Sequence, residues 1–367
     1  MKVPFFDYTR LYSDHKDQYT QIFDDVCSRG AYIMQKDLVE FETSLSKYTG
    51  SKYAVGVANA TDGLELCWMA IGLRPGDEVI VSSHTMLATA SAIKVAGGVP
   101  VPVEIGYDNL IDPEAVADAI GPRTVGIMPT DLNGRCADME EIMKIAERYK
   151  LYVVEDAAQA LGARLNGKHA GTFGNASAFS FFPAKVLGCF GDAGGVITDN
   201  SQIYQRVYQL HDHGRDMTGA VRSWGRNSRL DNMQAAFLNY GFKNYENVIQ
   251  RRRHIASLYT EYLSDVRELN LPPGPNEEKR YFDIYQNYEI LAERRDELKD
   301  YLYDNEIGTL LQWGGKGVHQ WERLGFPQIL PKVEHFFKHC IMLPMNMFIS
   351  DEDVKYVSDT IKAFYAR

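Results

Sequence analysis

The stretch VVEDAAQALGARLNGKHAGTFGNASAFSFFPAKVLGCFGDAGGVITDN, from Val153 to Asn200, decides the fold. An apolar run, Leu151–Val154, ends in two acids, Glu155 and Asp156. A second run, AFSFFP, ends in a loop that carries Lys185 between Pro183, Ala184, Val186 and Leu187. Short apolar runs that stop at polar residues, separated by helix-length stretches, call for parallel strands joined by helical crossovers. In such sheets ligands bind beyond the carboxyl ends of the strands, which puts Asp156 at a site edge. An amine in an apolar loop favours its neutral, nucleophilic form. Taken alone, the two residues also allow a plainer reading, with Asp156 capping a helix and Lys185 snorkelling to water.

Working outward, strands are expected at Tyr53–Val57, Glu78–Val81, Val99–Val103, Val125–Pro129, Leu151–Glu155, Ala178–Phe182 and Gly195–Thr198. Helical spacing runs through Thr61–Ile71, Thr85–Ala96, Pro113–Ile120 and Met139–Tyr149, with Asp62, Thr85 and Asp138 as first-turn or cap residues. The pattern predicts a doubly wound α/β domain on a mostly parallel seven-stranded sheet. A helical stretch from Leu230 to about Val266 leads to a Pro/Gly break at LPPGPNEEK. A strand near Tyr288–Leu291, a helix near Arg294–Asn305 and a closing helix at Asp351–Phe364 follow. We divide the chain into a large α/β domain, residues 1–245, and a smaller C-terminal α+β domain, residues 246–367.

The 367 residues are 45% hydrophobic, enough core for two packed domains. A net charge of −10 leaves no broad positive field for nucleic acid or anionic lipid, so a phosphate-bearing ligand needs a local site. No apolar run reaches the roughly 18 residues of a membrane span, and MKVPFFDYTR lacks a secretory apolar region, so a cytoplasmic protein is expected. The five scattered cysteines, without a C-x-x-C pair, fit reduced thiols, and no metal site is expected.

The blocks GVANATDGLEL at Gly56, GLRPGDEVIVSSHTMLATASAI at Gly72, VVEDAAQALGA at Val153, FSFFPAKVLGCFGDAGGVITD at Phe179, GRNSRLDNMQAAF at Gly225 and LPMNMF at Leu343 cover most of the chain. In this order they resemble the DegT/DnrJ/EryC1/StrS family of sugar aminotransferases, enzymes of fold type I that use pyridoxal 5′-phosphate. The resemblance makes Lys185 the Schiff-base lysine and proton shuttle, and Asp156 the carboxylate that keeps the cofactor's ring nitrogen protonated. It places Gln159 near the phenolic oxygen. NATDGL opens a helix after an apolar strand, so free N–H groups at Thr61 and Asp62 can meet the phosphate while the Asp62 side chain turns away to cap the helix, and the resemblance adds the Ser180 hydroxyl. Asn227 then reaches the phosphate of a neighbouring subunit, so the resemblance implies a homodimer with shared active sites.

Two departures stand out. Met86 occupies the place of an aromatic that stacks on the cofactor ring. The loop QWGGKGVHQW at Gln312 is longer and richer in glycine than its counterparts, with Trp313, Lys316 and His319 as candidate substrate contacts. An exposed glycine loop explains those three residues equally well. The run Arg251, Arg252, Arg253, His254 reads as a solvated or subunit-contact face, since consecutive helical residues point apart. The pair His211 and His213 lacks further ligands for a metal. The resemblance implies transfer of an amino group from L-glutamate to a keto sugar, nucleotide-linked, in amino-sugar or surface polysaccharide biosynthesis. A keto cyclitol or small keto sugar phosphate as acceptor, or a non-catalytic paralogue, are the rivals. A nicotinamide oxidoreductase is disfavoured because GVANATDGLE has no G-x-G-x-x-G turn.

Overall fold

The structure, a computed structural model, describes residues 2–367. Three helices open the chain: α1 (Tyr8–Ser13), α2 (Lys16–Ser28) and α3 (Lys36–Thr49). An alternating series follows: β1 (Tyr53–Val57), α4 (Ala60–Ile71), β2 (Glu78–Ser82), α5 (Leu87–Val95), β3 (Val99–Val103), α6 (Pro113–Asp118), β4 (Thr124–Met128), α7 (Met139–Tyr149) and β5 (Tyr152–Asp156). A small ribbon of β6 (Arg164–Leu165) and β7 (Lys168–His169) precedes β8 (Ala176–Ser180) and β9 (Gly194–Thr198). The seven long strands form one sheet in the order β1-β9-β8-β5-β4-β2-β3, in which β9 alone runs against the rest. Alternate side chains feed two cores. Ile80, Ile127, Val153 and Ile197 meet Leu38, Phe41 and Ile142 on one face, while Val79, Val81, Val154 and Val196 meet Leu64, Trp68 and Val207 on the other.

Beyond β9 come α8 (Ser201–His211), α9 (Asn232–Phe242) and the long α10 (Tyr245–Leu263). A second sheet, β10 (Leu269–Asn270), β12 (Tyr288–Ala292) and β13 (Cys340–Leu343), is wholly antiparallel, and β11 (Tyr281–Phe282) joins the ribbon at β6. Ile290 and Ile341 of this sheet pack on α10, on α11 (Arg295–Asp304) and on α13 (Asp351–Tyr365). Helix α12 (Pro331–His339) covers the junction.

The expected strands of the large sheet are found with ends displaced by two residues or fewer. The helix expected from Leu230 is two helices broken at Lys243–Asn244, and the three opening helices were not read from the sequence. The basic run on α10 is not a solvated face: Arg252 and Arg253 are buried, and their guanidinium groups donate to backbone carbonyls. Only Arg251 and His254 face outward, both onto Asp351.

Candidate active site

Asp156 ends β5 and sits buried beside Ala178 of β8, the strand that leads to Lys185. Its Oδ2 accepts from the Thr89 hydroxyl at 2.6 Å and its Oδ1 from the Ala158 N–H at 3.2 Å. The Thr85 hydroxyl lies 2.7 Å from that of Thr89 and 2.8 Å from that of Thr130, and all three threonines are buried. A hydroxyl has one proton, and Thr89 spends its own on the carboxylate, so Thr85 donates to Thr89 and Thr130 to Thr85. Three aligned O–H dipoles therefore point at one carboxylate oxygen and reinforce each other. Burial pushes the Asp156 carboxyl up, while Thr89, the Ala158 N–H and the charge of Lys185 hold it back. This explains why α5 starts at Leu87, not at Thr85: Thr85 turns inward, and Met86 takes the N-cap position without a side-chain bond.

Lys185 is half-buried in the loop after β8. Burial brings its amine down to about 8, with Asp156 pulling it back up. Near neutral pH about a tenth of such an amine is unprotonated, against less than a thousandth for an ordinary lysine.

A mouth for an anion lies one strand further. Asn59 caps α4, and its Oδ1 accepts the Asp62 N–H at 2.8 Å. The expectation for Asp62 is thus corrected: its N–H is taken by Asn59, which is the shorter reach, and its side chain is not the cap. The N–H groups of Ala60 and Thr61 remain at the positive end of the helix dipole. Ser180 pairs with Gly194 of β9, and a Cβ on Gly194 would lie 2.5 Å from the Asn59 carbonyl carbon. This close approach sets the Ser180 strand end directly beside the mouth of α4.

Gln159 is fixed by its oxygen, which accepts the Asn133 N–H at 2.9 Å and the Asn287 amide at 3.4 Å, so its NH₂ is the free end. Asn133 Oδ1 in turn accepts from Gln312, and Glu289 Oε2 accepts from both Asn133 and Gln312. His84 closes this network. Its Nδ1 lies 2.7 Å from the Asn109 carbonyl and must carry a proton, which leaves Nε2 facing Glu289 at 3.5 Å.

The remaining candidates line the border of this centre or lie on loops. Met86 is exposed at the rim. Asn227 is exposed on the 212–229 hairpin, bridged to Asp212, and its side chain makes no hydrogen bond among the described residues. The loop at Gln312 is anchored, not free. His319 is buried, its N–H and its Nδ1 meet the Ser83 hydroxyl at 3.2 and 2.6 Å, and Val318 N–H donates to the Ser83 carbonyl. A Cβ on Gly317 would come 2.9 Å from that hydroxyl, which accounts for a glycine there. Burial lowers the His319 pKa and Glu334 opposes it. Trp313, held at a φ of +48°, packs against the His84 ring, while Lys316 is exposed over Trp321. The sequence offered Thr85 only as a helix cap, and it did not point to Thr89, Thr130, Asn133 or Gln312 as site residues. Only the Thr85/Thr89 spacing of four, one helical turn, offered a signal.

An acid, a low-pKa amine and an anion mouth on neighbouring strand ends of a doubly wound sheet define the fold type I aminotransferase arrangement. The comparisons agree. The profile of the DegT/DnrJ/EryC1/StrS aminotransferase family matches residues 13–362. The crystal structure of DesV from S. venezuelae superposes with a TM-score of 0.95 at 34% identity, covering 100% of this chain and 99% of that one. The dTDP-3-amino-3,4,6-trideoxy-alpha-D-glucose transaminase of Streptomyces venezuelae is 34% identical over 100% of this chain and 97% of its own. A pleiotropic regulatory protein of Geobacillus stearothermophilus is 35% identical over 100% of this chain and 99% of its own. The chain belongs to the DegT/DnrJ/EryC1/StrS family, whose members are pyridoxal-phosphate-dependent aminotransferases, and it is a sugar aminotransferase. Among the described residues, no helix is long and apolar enough to cross a membrane.

Proposed function

We propose that the chain moves an amino group from L-glutamate to the C3 keto group of a nucleotide-linked sugar, with Lys185 as the reacting amine. The observation that carries the reading is the meeting of Lys185 and Asp156 at adjacent strand ends, each opposing the burial shift of the other. Relatives named for dTDP- and UDP-linked sugars with nitrogen at C3 support the acceptor, and one named for 3-oxo-glucose-6-phosphate and glutamate supports the donor.

The donor set fits pyridoxal 5′-phosphate. Buried Asp156 lacks a full ionic partner and suits a protonated ring nitrogen; Ala60 and Thr61 N–H with Ser180 suit a phosphate; the Gln159 NH₂ suits the phenolic oxygen. Bound there, the group supplies a carbonyl that captures amines and a ring that accepts the electron pair released at the amino-bearing carbon. The chain does the rest. Lys185 Nζ takes the proton from the amino-bearing carbon of the donor and, in the return direction, delivers one to C3 of the sugar. The threonine relay favours the anionic form of Asp156 against the upward push of burial. Exposed Met86 and Phe182 at the rim and Met217, Val221 and Trp224 on the hairpin leave apolar surface that a second copy would cover, bringing Asn227 to the partner's site. The product then enters amino-sugar or surface polysaccharide synthesis in the cytoplasm.

The test is an absorbance spectrum of the purified protein with pyridoxal phosphate, before and after L-glutamate. A visible band that needs Lys185 and gives way to a near-ultraviolet band supports the reading; a visible band that persists in Lys185→Ala sinks it. Acceptors are then compared as nucleotide-linked 3-keto sugars against 3-keto sugar phosphates, with the aminated carbon located by NMR. For the shared site, mixing Lys185→Ala and Asn227→Ala subunits should restore about a quarter of wild-type activity, since random pairing makes half the dimers mixed, each with one intact site. No recovery on mixing would exclude sharing through Asn227.

A further inference from the structure

We propose that Gln286 is a positioning residue for Lys185: its carboxamide pins the peptide planes on both sides of the lysine and so sets the direction in which Nζ points. The inference rests on the reading of Lys185 as the reacting amine.

The Gln286 Nε2 donates to the carbonyl of Ala184 at 2.8 Å, and its Oε1 accepts the N–H of Val186 at 2.9 Å. The first bond holds the plane that joins Ala184 to Lys185, the second the plane that joins Lys185 to Val186. The Lys185 N–H adds a third hold, donating to the Phe182 carbonyl at 2.8 Å. Peptide units are rigid planes, so holding one on each side of a Cα fixes its φ and ψ together, and with them the Cα–Cβ direction. The loop that carries the lysine contains no helix or strand and needs such a hold from outside.

Gln286 is fixed in its turn. It is buried, and its own carbonyl accepts from the Arg252 guanidinium at 3.1 Å, with the carbonyls of Tyr285 and Met345 at 2.9 and 3.0 Å. Its neighbour Asn287 donates to Asn133 at 2.8 Å, and Asn133 holds Gln159. The two residues preceding β12 therefore reach opposite ways. One orders the amine and the other supports the amide that the cofactor's oxygen would meet. Small errors in the placement of a reacting group cost large factors in rate, about 10²-fold for 1 Å.

The experiment uses two variants. Gln286→Leu removes both bonds at similar volume; Gln286→Glu keeps an acceptor for Val186 but, ionised, offers no proton to Ala184. In the cofactor-free protein, labelling of Lys185 by acetic anhydride is followed by mass spectrometry against pH. The wild-type midpoint should lie near 8. In Gln286→Leu it should move up towards the ordinary lysine range, as the freed loop lets the amine reach water. With pyridoxal phosphate and L-glutamate, the single-turnover rate should fall about 10–100-fold, measured at a temperature where the variant is fully folded. Gln286→Glu should show smaller shifts of the same sign. Wild-type midpoint and rate in a folded Gln286→Leu protein overturn the proposal. If that variant does not fold, wild-type values in Gln286→Glu overturn it instead. A cofactor band that survives Lys185→Ala removes the reading of Lys185 and the role of Gln286 with it, whereas loss of that band with normal Gln286 variants removes only the latter.

Discussion

Lys185 and Arg252 line the same cavity, of about 360 Å³, and both are cations taken out of water, yet the chain treats them in opposite ways. Arg252 has no carboxylate partner and spends one nitrogen on three backbone carbonyls, so its charge is spread over fixed dipoles. Its pKa, brought down by burial to about 10, leaves it protonated throughout the physiological range. Lys185 Nζ makes no hydrogen bond among the described residues and feels the charge of Asp156 without pairing with it, and burial brings its amine down to about 8. A buried cation becomes structural when fixed dipoles take up its charge and reactive when such partners are withheld.

Lys185→Ala should remove the reactive member with the largest effect, at least about 10⁴-fold in single-turnover amine transfer, while the fold persists. The same amine leaves a mark on stability. Because its folded pKa lies below the unfolded 10.5, the unfolded chain binds more protons between about pH 8 and 10.5. Stability of the cofactor-free wild type should therefore rise with pH across that window relative to Lys185→Ala, with no relative slope below it. Denaturant titrations at several pH values read this slope, and a flat difference would contradict the withheld-partner account. Asp156→Asn keeps the shape and removes the charge; amine transfer should fall about 10²–10³-fold, measured as kcat. Arg252→Met should show the reverse profile, a loss of about 3 kcal/mol in unfolding free energy from three stranded carbonyls, seen as a lower denaturant midpoint. Thr130→Val should have the smallest effect. It removes the far end of the relay and weakens the bond to Asp156, lowering kcat about 3–10-fold, the equivalent of about 1 kcal/mol. A Thr130→Val enzyme as slow as Asp156→Asn would show that the relay does more than polarise.

The two buried cations also mark how far the sequence could be read. Strand ends in the large sheet were legible because apolar runs stop where the chain leaves the core, which also put Asp156 and Lys185 at strand ends. Helix boundaries were less so: Thr85 and Asp62 both look like caps, but Thr85 has two hydroxyls to meet inside and Asn59 reaches the Asp62 N–H first. The arginine run failed for a different reason. A charge pattern says nothing of carbonyls left free by a segment 30 residues on, and those carbonyls draw Arg252 and Arg253 inward. The hold of Gln286 on the lysine loop spans 100 residues of sequence and follows no periodicity. His319 was noticed as a substrate contact, whereas its bonds to Ser83 turn it into an anchor for its own loop.

The single reversal of direction in the large sheet has a mechanical consequence. Had β9 run with its neighbours, the chain leaving β8 would have had to cross the whole sheet before returning, carrying Lys185 off on a helix. Because it runs the other way, residues 181–193 leave and re-enter at one edge, closed by the Phe181 N–H to Ala193 carbonyl bond at 2.9 Å. The amine is thus moored at both ends on a short tether beside the acid it works with, and its range of travel is set by topology before any side chain refines it.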